Sequence, residues 1–83
     1  MLQCTQYFKF TRQRSDRKII KDQWIEFVIQ NSIQDQRQQD GRIRKWAYIR
    51  EAENKCLRVV LLEDGKTVHN AFFDRSFKEE RSS

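Results

Sequence analysis

Asp64-Gly65 stands between two apolar runs, and this dipeptide constrains the chain more than any other feature. An Asp-Gly loop between strands suits a type I′ turn, whose two central residues both take positive φ. Residues 56–62 and 66–73 are therefore expected to pair as a hairpin. With Glu63 paired to Lys66, the register sets Leu62 against Thr67, Leu61 against Val68, Val60 against His69, Val59 against Asn70 and Arg58 against Ala71. Side chains alternate along a strand. Leu57, Val59, Leu61, Val68, Asn70 and Phe72 are thus expected on one face, which is nearly all apolar and should receive a helix. Cys56, Arg58, Val60, Leu62, Thr67, His69, Ala71 and Phe73 fall on the other, where Arg58 lies diagonal to the single histidine, within about 7–8 Å.

The helix comes earlier in the chain. Ile20, Trp24, Phe27 and Val28 recur at helical spacing over residues 19–30, and Ile25 and Ile29 widen the stripe. Asn31 and Ser32 end it. Residues 4–10 alternate loosely and read as a short first strand. Residues 11–18 form a basic turn or short helix with Ser15 or Asp16 as a cap. The glutamine-rich residues 33–40 read as a loop or the frayed start of a strand. After Gly41, residues 42–49 alternate as a strand, and residues 50–55 make a charged connection of hairpin length. The expected fold class is α+β, an antiparallel sheet of three to four strands with one or two N-terminal helices packed on one face.

Length and composition bound the rest. A chain of 83 residues is expected to be one domain, residues 1–83, with its ordered core at about 4–77 and a polar tail at 78–83 expected to fray. Two Trp, two Tyr and six Phe offset the 35% of charged residues and argue for a folded chain. Cys4 and Cys56 are far apart and join one histidine, too few soft ligands for a structural zinc, so neither metal nor cofactor is expected. From the cysteine usage and the lack of an apolar leader or span, a cytoplasmic protein away from membranes is expected. Seventeen Lys and Arg against twelve Asp and Glu leave a net charge of +5. That excess suits a polyanionic partner, because cations release counterions from phosphates, and it equally suits plain solubility.

The Arg-rich turn, the helix with Trp24-Ile25, the strand Arg42-Ile43-Arg44-Lys45-Trp46 and the run Leu57-Arg58-Val59-Val60 resemble a small bacterial domain family. That family, of largely unassigned function, is itself similar to RelE- and BrnT-type toxins of toxin–antitoxin systems. The resemblance covers residues 10–75 and implies a sheet with helices on one face, an mRNA-cleaving activity without metal, and an acidic antitoxin as partner. Cleavage of this kind needs a proton carrier and cations around the phosphorane. It makes His69 the acid or base and Arg58 and Arg44 the phosphate clamps, with Arg17 a further candidate.

Each candidate has a structural reading beside the functional one. His69 is either that proton carrier or a hydrogen-bonding strand residue; a nearby arginine would favour its neutral form and the role of base. Arg42, Arg44, Trp46 and Tyr48 are either a platform for stacked bases and phosphates or core aromatics under arginine stems. Lys45, Arg75 and the cluster Arg12, Arg14 and Arg17 either extend an RNA-binding surface or form a solvated charge run. Trp24 is read as core, and Asn70 as an internally hydrogen-bonded amide. Beside the toxin-like endoribonuclease stands a non-catalytic module binding RNA or protein through the same basic face. A domain that dimerises through its first strand is the third reading.

Overall fold

The structure, a computed structural model, describes residues 2–13 and 19–77. Helix α1 spans Gln6–Thr11 and helix α2 Asp22–Asn31. Four strands follow, β1 (Gln34–Arg37), β2 (Ile43–Ile49), β3 (Lys55–Leu61) and β4 (Val68–Phe73), in one antiparallel sheet of order β1-β2-β3-β4. The α+β architecture is the one expected from the sequence. Phe8, Ile20, Trp24, Ile25 and Val28 pack from the helix side against Ala47, Ile49, Leu57, Val59, Leu61, Val68 and Ala71. Trp24 is core, as read from the stripe. Phe27, by contrast, lies at the stripe's rim and is 45% exposed. No helix among the described residues is long and apolar enough to cross a membrane.

The segment read as a first strand is instead α1. Thr5 explains the difference: its hydroxyl accepts from Phe8 N at 3.1 Å and so caps a helix. Phe8 and Thr11, three residues apart, are then the buried pair, and Phe10 is left 73% exposed. What strand character remains is one parallel bridge from Cys4 to Val68, with Val68 N donating to Gln3 O and Thr5 N to Val68 O. Residues 14–18, with the caps proposed there, lie outside the described residues. Downstream, the glutamine-rich segment is an edge strand. Its exposed polar side chains suit an unpaired edge, since they discourage pairing with another chain.

The final hairpin keeps its place but changes its turn. Of the turn residues only Gly65 takes positive φ, so the turn is not type I′. Gly65 N donates to Leu62 O and Leu62 N to Thr67 O, closing a four-residue loop. Asp64 stabilises it from the side chain, accepting from Lys66 N, Thr67 N and the Thr67 hydroxyl. Those bonds favour the ionised form and hold the Asp64 carboxyl down at about 2.

The register agrees with expectation at Leu61↔Val68 and then shifts. A bulge sets Val60 against Asn70, Val59 against Ala71, Arg58 against Phe72 and Leu57 against Phe73. Val68 and Ala71, three apart in sequence, are both fully buried. Strict alternation forbids that, and one extra residue, His69, permits it. Ala71 and Phe73 consequently join the core side, Phe73 meeting Trp24 edge to face at 6.1 Å. Asn70 and Phe72, expected on the apolar face, lie on the opposite one.

Gly41 shows how tightly the β1–β2 turn is set against the hairpin. Its φ is +91°, and a Cβ there would collide with the Glu63 side chain. Gly41→Ala is expected to cost about 1–2 kcal/mol through the left-handed backbone alone, read as a lower urea midpoint with unchanged m-value.

Candidate functional site

On the sheet face away from the helices, alternation in β2 presents Arg44, Trp46 and Tyr48. Across the ladder these meet Val60, Arg58 and Cys56, and beyond them Asn70 and Phe72. Gln34 and Gln36 of β1 stand opposite Trp46 and Arg44. Of the row expected along residues 42–48, Arg44, Trp46 and Tyr48 share this surface, whereas Arg42 precedes β2.

Its centre is a packed cluster. Arg58 donates through Nε and Nη2 to Asp74 Oδ2, at 3.2 and 3.0 Å, and Trp46 Nε1 donates to the same oxygen at 3.1 Å. The guanidinium lies 4.6 Å from the Phe72 ring centre and 5.8 Å from that of Trp46. Asp74 is nearly buried, its side chain 7% exposed, and its other oxygen accepts from Ser76 N and Oγ. Burial opposes its ionisation, but the bonds from Trp46 and Ser76 and the charge of Arg58 prevail and leave its carboxyl below the usual range. Phe77 then stacks on Trp46, centres 5.2 Å apart and planes 21° from parallel. Of the two aromatics in the row, Trp46 is covered, whereas Tyr48 is 43% exposed.

Arg58 and His69, expected as neighbours, belong to different clusters. The bulge carries His69 to the N-terminal side, where its ring stacks on Tyr7 at 4.9 Å and Nδ1 lies 3.2 Å from Thr5 Oγ1. That hydroxyl already accepts from Phe8 N, so its hydrogen is available to Nδ1, which suits a neutral ring protonated on Nε2. Partial burial lowers the His69 pKa, and the charge of Arg42 lowers it further against the opposing pull of Asp40.

The remaining cations divide by partner. Arg12 caps α1, pairs with Asp22 at 2.5 Å and donates to Ile20 O, tying the two helices together on the far side of the sheet. Lys45 shares the core-facing side of β2 and pairs with Asp35 at 3.0 Å. Arg42 lies 3.8 Å from Asp40. Arg75 is exposed in the turn after β4, and Arg14 and Arg17 lie outside the described residues. Arg44 differs from these: it donates to Gln36 Oε1, and Gln38, its amide oriented by the hydrogen-bond network, accepts from the guanidinium as well. Amides orient the group without neutralising it, and no carboxylate among the described residues forms a salt bridge with it. Cys56 offers no nucleophile, since burial and the Asp74 charge push its thiol up to about 11.

Sequence reasoning missed Asp74 as the organiser of the site and Phe77 as its cover. The signal for Asp74 was its parity with Arg58 across the ladder, hidden by the bulge. Compared with protein-family models, curated proteins and solved structures, the chain matches none of them.

Two outcomes test this geometry. Asp74→Ala strips Arg58 and Trp46 of their acceptor and should cost about 2–4 kcal/mol in urea denaturation, with Asp74→Asn losing less. The depressed His69 pKa also sets a pH window. Above about pH 7.5 folded and unfolded chains both hold the ring neutral; below it the unfolded chain takes up the proton first, so stability declines until the folded ring titrates too. Urea midpoints should fall from about pH 7.5 to 5, and His69→Gln should flatten that decline. Asp35, Asp64 and Asp74, all with lowered pKa values, act only below about pH 4, which separates the two effects.

Proposed function

We infer that this chain is an RNA-directed protein whose sheet, on the face away from its helices, binds single-stranded RNA without cleaving it. The observation that carries the reading is Arg44 and Tyr48 in one β2 row, at either side of Trp46. Arg44 is a cation held in place by amides and left charged, and Tyr48 is an aromatic ring left exposed. Single-stranded nucleic acid is held by this combination, cations on the backbone and rings under the bases. The net charge of +5 adds a favourable long-range field.

The toxin-like endoribonuclease, with an acidic antitoxin as partner, is the competing form of the same reading. It needs a proton carrier and a phosphate clamp on one substrate. His69 rests on Tyr7 and Thr5, whereas Arg58 is paired with Asp74 and already neutralised by it, so the two stand in separate clusters. Binding without cleavage is the form that this geometry favours.

Fluorescence anisotropy with a labelled single-stranded RNA of roughly 12 nucleotides tests the reading. Affinity should fall steeply between about 50 and 200 mM salt, and Arg44→Ala should make the log–log slope shallower by about 0.7. Tyr48→Ala should weaken binding by about 1–3 kcal/mol. Absence of binding at low salt, or an unchanged slope in Arg44→Ala, would sink it. Appearance of cleavage products that vanish in His69→Gln would restore the endoribonuclease.

A further inference from the structure

Between Arg44 and Tyr48 in the β2 row stands Trp46, and its ring is closed to water, 5% exposed. The cover comes from beyond β4, where the Phe77 ring stacks on the indole with planes 21° from parallel. The same ring meets Tyr48 edge to face, centres 6.3 Å apart and planes at 66°. One phenyl ring thus touches both aromatics of the row, in the stacked and edge arrangements that aromatic pairs prefer.

Phe77 is held differently from the cluster beneath it. Asp74 is fixed to the sheet by the bonds it accepts from Arg58 and Trp46. Ser76 turns the chain back onto Asp74, donating through N and Oγ at 3.0 and 2.8 Å. Arg75 and Ser76 are exposed, and Phe77 follows them with its ring on Trp46 and Tyr48. A rotation about residues 75–77 therefore lifts the ring and leaves the Arg58–Asp74–Trp46 bonds in place.

We propose that Phe77 is a lid on a base-stacking site: it lies on the Trp46 face where one nucleobase of single-stranded RNA stacks, and RNA displaces it. The space over the indole already holds a flat ring nearly parallel to it, which is the pose a stacked base takes. Arg44, Trp46 and Tyr48 recur at every second residue, about 6.5–7 Å apart along the strand. With Trp46 uncovered, cation and rings form one unbroken path for phosphate and bases. A site open only part of the time binds more weakly by that fraction, so the lid holds RNA affinity below what the row can give. The inference rests on the RNA-binding reading and deepens it, adding Trp46 to Arg44 and Tyr48 and a segment that limits access to it.

The test uses the whole chain and a labelled oligouridylate of roughly 12 nucleotides, with an abasic oligomer of the same length as control. Phe77→Ala and Phe77→Leu both remove the stacking ring, and Phe77→Leu keeps an apolar cover in case Phe77→Ala weakens the fold. Both variants should bind the oligouridylate about three- to tenfold more tightly than the unaltered chain, with affinity for the abasic oligomer unchanged. In a Trp24→Phe background the indole emission reports Trp46 alone. Saturating oligouridylate should quench that emission, and the abasic oligomer should not. Affinity equal to or below that of the unaltered chain in both variants overturns the lid, and so does Trp46 emission that bound RNA leaves unchanged. If RNA binds with the Arg44-dependent salt slope yet neither Phe77 variant gains affinity, the lid is wrong and the surface reading stands. If neither the unaltered chain nor either variant binds RNA at low salt, the surface reading fails and the lid falls with it.

Discussion

The structure depends on one strand that is buried on both sides. β3 runs between β2 and β4, and Leu57, Val59 and Leu61 are wholly removed from water against the helix layer. On its other side Cys56 and Val60 are buried too, although no helix among the described residues covers that face. Arg58 is the charge that this strand carries in the middle of its length. A guanidinium there loses much of its hydration, and an unpaired one would cost several kcal/mol. Asp74 offsets that cost, and in doing so it draws the chain after β4 back across the sheet. Trp46 shares the carboxylate and Phe77 stacks on Trp46, so one ion pair also gives the second face its cover.

The bulge at His69 is the other half of the same arrangement. Without the extra residue, Ala71 and Phe73 would turn away from the helices, and Phe72 and Asp74 would turn toward them. Arg58 would then face Ala71 and lose its acceptor. With it, Val68, Ala71 and Phe73 serve the core, while Asn70, Phe72 and Asp74 fall on the side of Arg58. His69 is the residue set out of alternation, and Tyr7 and Thr5 of the N-terminal segment receive it. The histidine that simple alternation sets diagonal to an arginine is thereby part of the seam between α1 and the sheet.

The basic character of the chain separates in the same way. Arg12, Lys45 and Arg58 are paired with Asp22, Asp35 and Asp74, and each pair joins two elements. Arg44 is held by neutral amides, and that distinguishes a charge used for construction from one left for a partner. Net charge reports the sum of both kinds and cannot tell them apart.

What the sequence determined by itself was every feature that rests on a local period. Alternation in residues 42–49 and 56–62 marked the two central strands and placed Arg44, Trp46 and Tyr48 on one face. The spacing of Trp24, Ile25 and Val28 marked the helix, and Asp64-Gly65 marked the reversal. Tertiary structure alone decided the features in which a distant group overrides that period. Capping by Thr5 turned a loose alternation into α1, because two buried residues three apart satisfy a helix. A single inserted residue reversed the faces of β4 from Asn70 onward, because the core required both Val68 and Ala71. Asp74 became the partner of Arg58 and Trp46 only through that reversal, since a parity change late in one strand leaves no mark on composition or spacing.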